Sequence, residues 1–156
     1  MRVWRLCRQA HAAFDGEGAR AWGGRWNFPS TAVVYASSSQ ALAILELMAH
    51  LDSPVVPKDF VFIAADLPDS ISMETIRPAE LPRAWRDFPA PRDLAAMGSA
   101  WIQSKRTAIL SVPSVLAPED RNLLLNPSHP EFSRIQIRPP EPFRMDLRLA
   151  AKKKIN

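Results

Sequence analysis

The chain has a single cysteine, Cys7, so no disulfide can close within it, which suits a reducing compartment. Its three histidines, His11, His50 and His129, show no ligand spacing such as H-x-x-x-H, and one thiol cannot make a C-x-x-C pair. No bound metal is therefore expected. A G-x-S-x-G elbow is missing, which disfavours a serine hydrolase triad. No apolar run approaches the roughly 18–20 residues needed to cross a bilayer. The opening MRVWRLC lacks the charged-then-apolar layout of a secretion signal and has the pattern of a strand. A cytoplasmic protein with no membrane contact is the expectation.

The 156 residues suffice for one compact domain with a substantial core, and 47% hydrophobic with 23% charged residues is ordinary for a soluble globular chain. Neither internal repeats nor a long linker divide it, so residues 1–150 are expected to form a single domain and 151–156 a basic tail. Lys152, Lys153 and Lys154 carry most of the formal net charge of +4. Direct nucleic-acid binding is thus not implied by charge. Arginine outnumbers lysine in the sequence, a bias toward planar recognition of phosphate or carboxylate.

Alternation predicts a strand over Arg2–Cys7, and β-branched content predicts another over Thr31–Ala36. Residues His11–Gly24, rich in Gly and Ala without clean periodicity, are expected to be a loop. Ser37–Leu51 is the strongest helix, with Ser37 and Gln40 at capping-box spacing. Phe60–Ala64 is a short apolar run suited to a central strand. A short helix is expected around Ala79–Trp85 in a proline-rich excursion, and a longer one over Asp93–Lys105. Thr107–Val112, Asn122–Leu125 and Phe132–Ile137 complete the predicted strands, the last two joined by the turn residues NPSHP. This order defines an α+β fold with a mixed or antiparallel sheet flanked by helices.

Glu46 is the one ionisable group in ALAILELMA, a stretch apolar almost all round. It is either a solvent-facing glutamate on a partly exposed turn or an acid lining a cleft, since an unpaired buried carboxylate costs several kcal/mol. In Gly23-Gly24-Arg25-Trp26-Asn27 two glycines precede an arginine: either a tight turn with a surface side chain, or a backbone that lets a ligand approach the guanidinium fork. Arg5 sits among the core-facing alternates Val3 and Cys7 and needs a partner or a ligand there. Tyr35 is the sole tyrosine, equally suited to strand packing or to stacking on a planar ligand. Ser111 and Ser114 flank Pro113 at the exit of a predicted strand and are placed for a phosphate-binding hydroxyl; a nucleophilic serine would need a base, and the missing elbow disfavours it.

Together these stretches resemble the RES-domain family, toxins of bacterial toxin–antitoxin systems. The likeness rests on VWRL with Arg5, GGRWN with Arg25, VVYASSSQALAILELMAHL with Tyr35 and Glu46, and VPSVLAPEDRNLLLNPSHP with Ser114, Asn122, Asn126 and His129, in the family's order. Residues 66–92 carry no matching motif. The resemblance implies an ADP-ribosyltransferase-like core that cleaves NAD⁺ as a glycohydrolase or phosphorylase, so that NAD⁺ is substrate and no cofactor is needed. A mono-ADP-ribosyltransferase toxin is the alternative, and a non-enzymatic RNA- or protein-binding module a further one.

Carried over by position, Arg25, Tyr35 and Glu46 would be catalytic, and Arg5, Trp26, Ser114 and Asn126 would contact substrate. Arg25 and Arg5 would hold the phosphates or the nicotinamide ribose, and Tyr35 would stack near the nicotinamide. Glu46 would stabilise the cationic ribose electrostatically. Ser114 would contact a phosphate or organise the site. With NAD⁺ as substrate, no G-x-G-x-x-G fingerprint is expected. The resemblance further implies a cognate Xre-like helix-turn-helix antitoxin that covers the active site, in a complex whose stoichiometry, a homodimer included, stays open. The segment Phe14–Gly24 is the contact region expected for that partner.

Overall fold

The computed structural model describes residues 1–51 and 59–150. In chain order the elements are β1 (Arg2–Arg8), α1 (Glu17–Trp22), β2 (Val34–Ser37), α2 (Gln40–His50), β3 (Phe60–Asp66), β4 (Met73–Thr75), α3 (Arg92–Ser104), β5 (Ile109–Pro113), β6 (Arg121–Leu125), β7 (Gln136–Ile137), β8 (Glu141–Pro142) and α4 (Leu147–Ala150). The strands form one sheet in the order β4-β5-β6-β2-β1-β3-β7, with β8 also on β3. β4 runs parallel to β5 and the other pairs are antiparallel. The fold is thus α+β with a mixed sheet, as the order of predicted elements implied.

Alternation gives the sheet two apolar faces. Val3, Val34, Ile63, Ile109, Leu123 and Leu125 make the core of one. Leu110, Val112 and Leu124 face the other way, under Leu94, Trp101 and Ile102 of α3 and the ring of Trp26. α3 comes close because position 98 is glycine: a Cβ there would lie 1.9 Å from the Trp26 carbonyl oxygen.

Several boundaries differ from expectation for local reasons. The cap of α2 is Ser39, whose hydroxyl accepts from the Leu42 amide at 3.1 Å, while Ser37 ends β2. The segment expected as a loop contains α1, entered through Gly16 at φ +76°, where a Cβ would meet the Val33 amide nitrogen at 2.6 Å. Around Ala79–Trp85 only a 3₁₀ turn, Pro78–Glu80, forms. Residues Pro130–Arg134 are a 3₁₀ turn, not the start of a strand: Pro130 opens it and the His129 ring nitrogen accepts from the Glu131 amide at 3.2 Å. The expected basic tail, 151–156, lies outside the described residues.

Candidate functional site

The turn that carries Arg25 is built from backbone inward. Gly23 adopts φ +74°, and Gly24 and Asn27 exchange backbone hydrogen bonds. Asn27 is buried, and its side-chain amide lies within hydrogen-bond reach of the carbonyls of Ala19, Phe28 and Thr31. The Tyr35 hydroxyl donates to Asn27 Oδ1 at 2.8 Å and accepts from the Trp26 amide at 3.0 Å. Burial raises the Tyr35 pKa far above the ordinary phenol value, so the hydroxyl keeps the proton it donates. Tyr35 therefore braces the arginine turn, a role its expected stacking did not include.

Arg25 is half-buried. Its Nη1 donates to the Trp85 carbonyl at 2.9 Å and its Nη2 to that of Asp87 at 3.2 Å. These bonds tie the turn to the excursion between β4 and α3, in which no family motif was legible. Burial presses the guanidinium below its usual pKa, while the charge of Glu46 opposes the shift. An arginine stays protonated under such a shift. Neither of its bonds goes to a carboxylate, and its three remaining N–H groups have no partner among the described residues.

Glu46 projects from α2 over the ends of β5 and β6. Both of its hydrogen bonds converge on one oxygen: Oε1 accepts from Ser114 Oγ at 2.8 Å and from Asn122 Nδ2 at 2.6 Å. No donor among the described residues reaches Oε2. Glu46 is therefore partly buried and anchored, not a free solvent-facing glutamate.

Ser114 is fully buried, and its hydroxyl also accepts from the amides of Leu116 and Ala117. With one proton given and both lone pairs used, it has no capacity left for a phosphate. It organises Glu46. Asn122 stands opposite Ser37 in the β2–β6 ladder, and Ser37 Oγ donates to its Oδ1 at 2.9 Å. Asn122 carries no role in the sequence reading. It stands among the residues that carry the family likeness, and its role becomes legible only once β6 is paired with β2.

The other expected contacts fall elsewhere. Trp26 is 3% exposed, with its ring in the core beside α3, so it presents no face to a ligand. Asn126 is fully buried, donating to the Ile102 carbonyl and accepting from the Ser128 amide, so it closes the turn after β6. Arg5 alternates with Trp4, which pairs with Ser37, and so shares the opposite face with Val3 and Cys7. No hydrogen bond or ion pair joins it to Glu46, Arg25, Tyr35 or Ser114, and its Nε is buried without a partner. Among the described residues no cluster of His, Cys, Asp and Glu could hold a metal, and no helix is long and apolar enough to cross a membrane.

The α+β domain thus fastens one carboxylate by a single oxygen, within electrostatic reach of a half-buried arginine whose hydrogen bonds go to carbonyls. Residues 2–146 match the family model described as RES domain. The chain belongs to the RES domain family. It is 41% identical over 155 residues to the "Prs ADP-ribosylating toxin" of Sphingobium sp. (strain YBL2), with 96% of each chain covered. It is 36% identical over 134 residues to "Toxin Res" of Yersinia enterocolitica, covering 85% of this chain and 88% of that one. Among solved structures it is similar to the M. tuberculosis MbcT–MbcA toxin–antitoxin complex, with a TM-score of 0.73 and 19% identity over 91% of this chain and 83% of that one. That likeness concerns the fold.

Proposed function

We propose that this chain is the toxin of a bacterial toxin–antitoxin pair and that it cleaves the nicotinamide–ribose bond of NAD⁺. The observation that carries this reading is Glu46, held through Oε1 by Ser114 and Asn122 with Oε2 unpartnered, close enough to Arg25 to interact with its charge. When the C1′–N bond breaks, the electron pair leaves with neutral nicotinamide and positive charge develops on the ribose. A fixed carboxylate facing that carbon stabilises the charge, and more strongly where water is excluded. Arg25, already anchored by two carbonyls, keeps three N–H groups for the pyrophosphate. Arg5, on the sheet face opposite Ser37 with its Nε buried and unpartnered, is not assigned to the pyrophosphate.

Water or phosphate as acceptor makes the enzyme a degrader of NAD⁺, the reading we favour. Transfer of ADP-ribose to a protein is the second reading, favoured by the name of the 41% identical relative. Both share the cleavage site. Incubation of the pure protein with NAD⁺ labelled in its adenylate half, with and without phosphate and in bacterial extract, separates them. Free nicotinamide with label only in small molecules supports degradation, and a labelled protein band supports transfer.

The proposed partner is an antitoxin of the Xre-like helix-turn-helix type seated over Arg25 and Glu46. Toxin–antitoxin assembly in the solved MbcT–MbcA pair supports an antitoxin partner. Phe14 belongs to the core, which narrows the expected contact region to α1 and its terminal Trp22, 86% exposed two residues before Gly24. A complex that leaves Trp22 and Glu46 accessible to solvent would overturn this placement.

A further inference from the structure

We propose that Asn122 and Ser37 are a positioning pair that holds one oxygen of Glu46 so that the other faces the reaction. This inference rests on the proposed role of Glu46 and assigns two further residues to it. The two ends of an asparagine amide are nearly the same shape, so only hydrogen bonding distinguishes them. Ser37 Oγ donates to Asn122 Oδ1 at 2.9 Å, which leaves Nδ2 to face the carboxylate at 2.6 Å. A flipped amide would press Oδ1 against Glu46, acceptor on acceptor. Because Ser37 and Asn122 are directly opposed in the β2–β6 ladder, the sheet register sets their separation.

The consequence is an asymmetric carboxylate. Two donors from β6 and the β5 exit meet on Oε1, and Oε2 is left for the substrate side. Arg25 on the arginine turn feels the charge of Glu46 and interacts in turn with Tyr35 on β2, and His50 on α2 has its Nδ1 2.7 Å from the Glu46 carbonyl oxygen. None of the three hydrogen-bonds to the carboxylate. Asn122 therefore supplies the sole donor from the sheet face beneath Glu46 among the described residues, and Ser37 acts only through it.

The test measures steady-state NAD⁺ cleavage by nicotinamide release for Asn122→Ala, Asn122→Asp, Ser37→Ala and the double variant Ser37→Ala/Asn122→Ala, with Glu46→Gln alongside and thermal unfolding for each. Asn122→Ala is expected to lower kcat about tenfold with KM changed less than about twofold, the loss of one charge-assisted hydrogen bond acting on the transition state. Asn122→Asp sets two carboxylates against each other. Its kcat is expected to fall about a hundredfold at neutral pH and to recover toward wild type, by about tenfold, as acid supplies a shared proton between pH 8 and 5.5. Ser37→Ala is expected to cost about threefold, and the double variant to match Asn122→Ala, since Ser37 has no separate route to Glu46.

Wild-type kcat in Asn122→Ala, a loss carried by KM, or a pH-independent deficit in Asn122→Asp would overturn the pair while Glu46→Gln remained inactive. A fully active Glu46→Gln would instead remove the function on which the pair rests. Should Asn122→Asp fail to fold, the non-additivity of Ser37→Ala and Asn122→Ala decides.

Discussion

The Ser114 hydroxyl donates to Glu46 Oε1 at 2.8 Å across 68 residues of sequence, and is itself held by the amides of Leu116 and Ala117. The carboxylate is thus held by the loop after β5, together with Asn122 of β6. Ser114→Ala removes one donor from Glu46 and leaves two amides without an acceptor. A loss of about 1–3 kcal/mol in stability is expected, with cleavage lowered by tenfold or more; urea unfolding and nicotinamide release measure the two effects. Unchanged activity in a stable variant would separate Ser114 from the site.

Tyr35 and Gly24 form a second testable couple. A Cβ at position 24 would stand 2.7 Å from the Tyr35 hydroxyl oxygen, so Gly24→Ala is expected to push that hydroxyl off the Trp26 amide and displace the arginine turn. Tyr35→Phe removes the obstructing atom along with its two hydrogen bonds, at a cost of about 1–2 kcal/mol. The double variant is then expected to be more stable than the sum of the singles predicts, by about 1 kcal/mol. Strict additivity in chemical denaturation would contradict the clash.

At Gly98 the obstruction is backbone. Gly98→Ala would drive a methyl into the Trp26 carbonyl, and α3 must move away to accept it. A destabilisation of about 3 kcal/mol or more is expected, at the upper end for overpacking, and a drop in melting temperature reports it. Gly18, with nothing within 4 Å of a Cβ, is the control, and Gly18→Ala is expected to be neutral or mildly stabilising.

Asp66 holds the other end of the sheet together. Its carboxylate accepts from Arg2, opposite it in the β1–β3 register, and from Arg138, and these bonds hold its pKa well below the usual carboxylate range. A depressed folded value stabilises the native state above the unfolded pKa of about 4, and the contribution disappears as pH falls through the folded value. The stability gap between wild type and Asp66→Asn is expected to be flat from pH 7 to 5 and to narrow below about pH 4. A gap that widens in acid would reverse the sign of the argument.

Much of the fold is legible in periodicity. Arg2–Arg8 and Phe60–Asp66 alternate or run apolar as strands do, α2 follows its cap signal and long apolar run, and α3 carries a helical stripe. Elements made by backbone events are less so: α1 depends on Gly16 at positive φ against Val33, and β4 exists because β5 offers it an edge. The same division runs through the site. Glu46, Arg25 and Ser114 stand out as residues out of keeping with their neighbours. Asn122 and the carbonyls of Trp85 and Asp87 do not, because their roles come from strand register and a loop crossing. Trp26 and Asn126 show the converse: polar or aromatic residues beside a motif can simply be core.

The central claim is that Glu46 acts through its charge on NAD⁺ cleavage. Glutamine at position 46 keeps an acceptor oxygen for Ser114 and Asn122, so the variant should fold, yet it removes the charge. Nicotinamide released per enzyme under saturating NAD⁺ is the direct measurement. The expected result for Glu46→Gln is a fall of about a hundred- to a thousandfold in kcat at an unchanged melting temperature, and turnover equal to wild type would contradict the account.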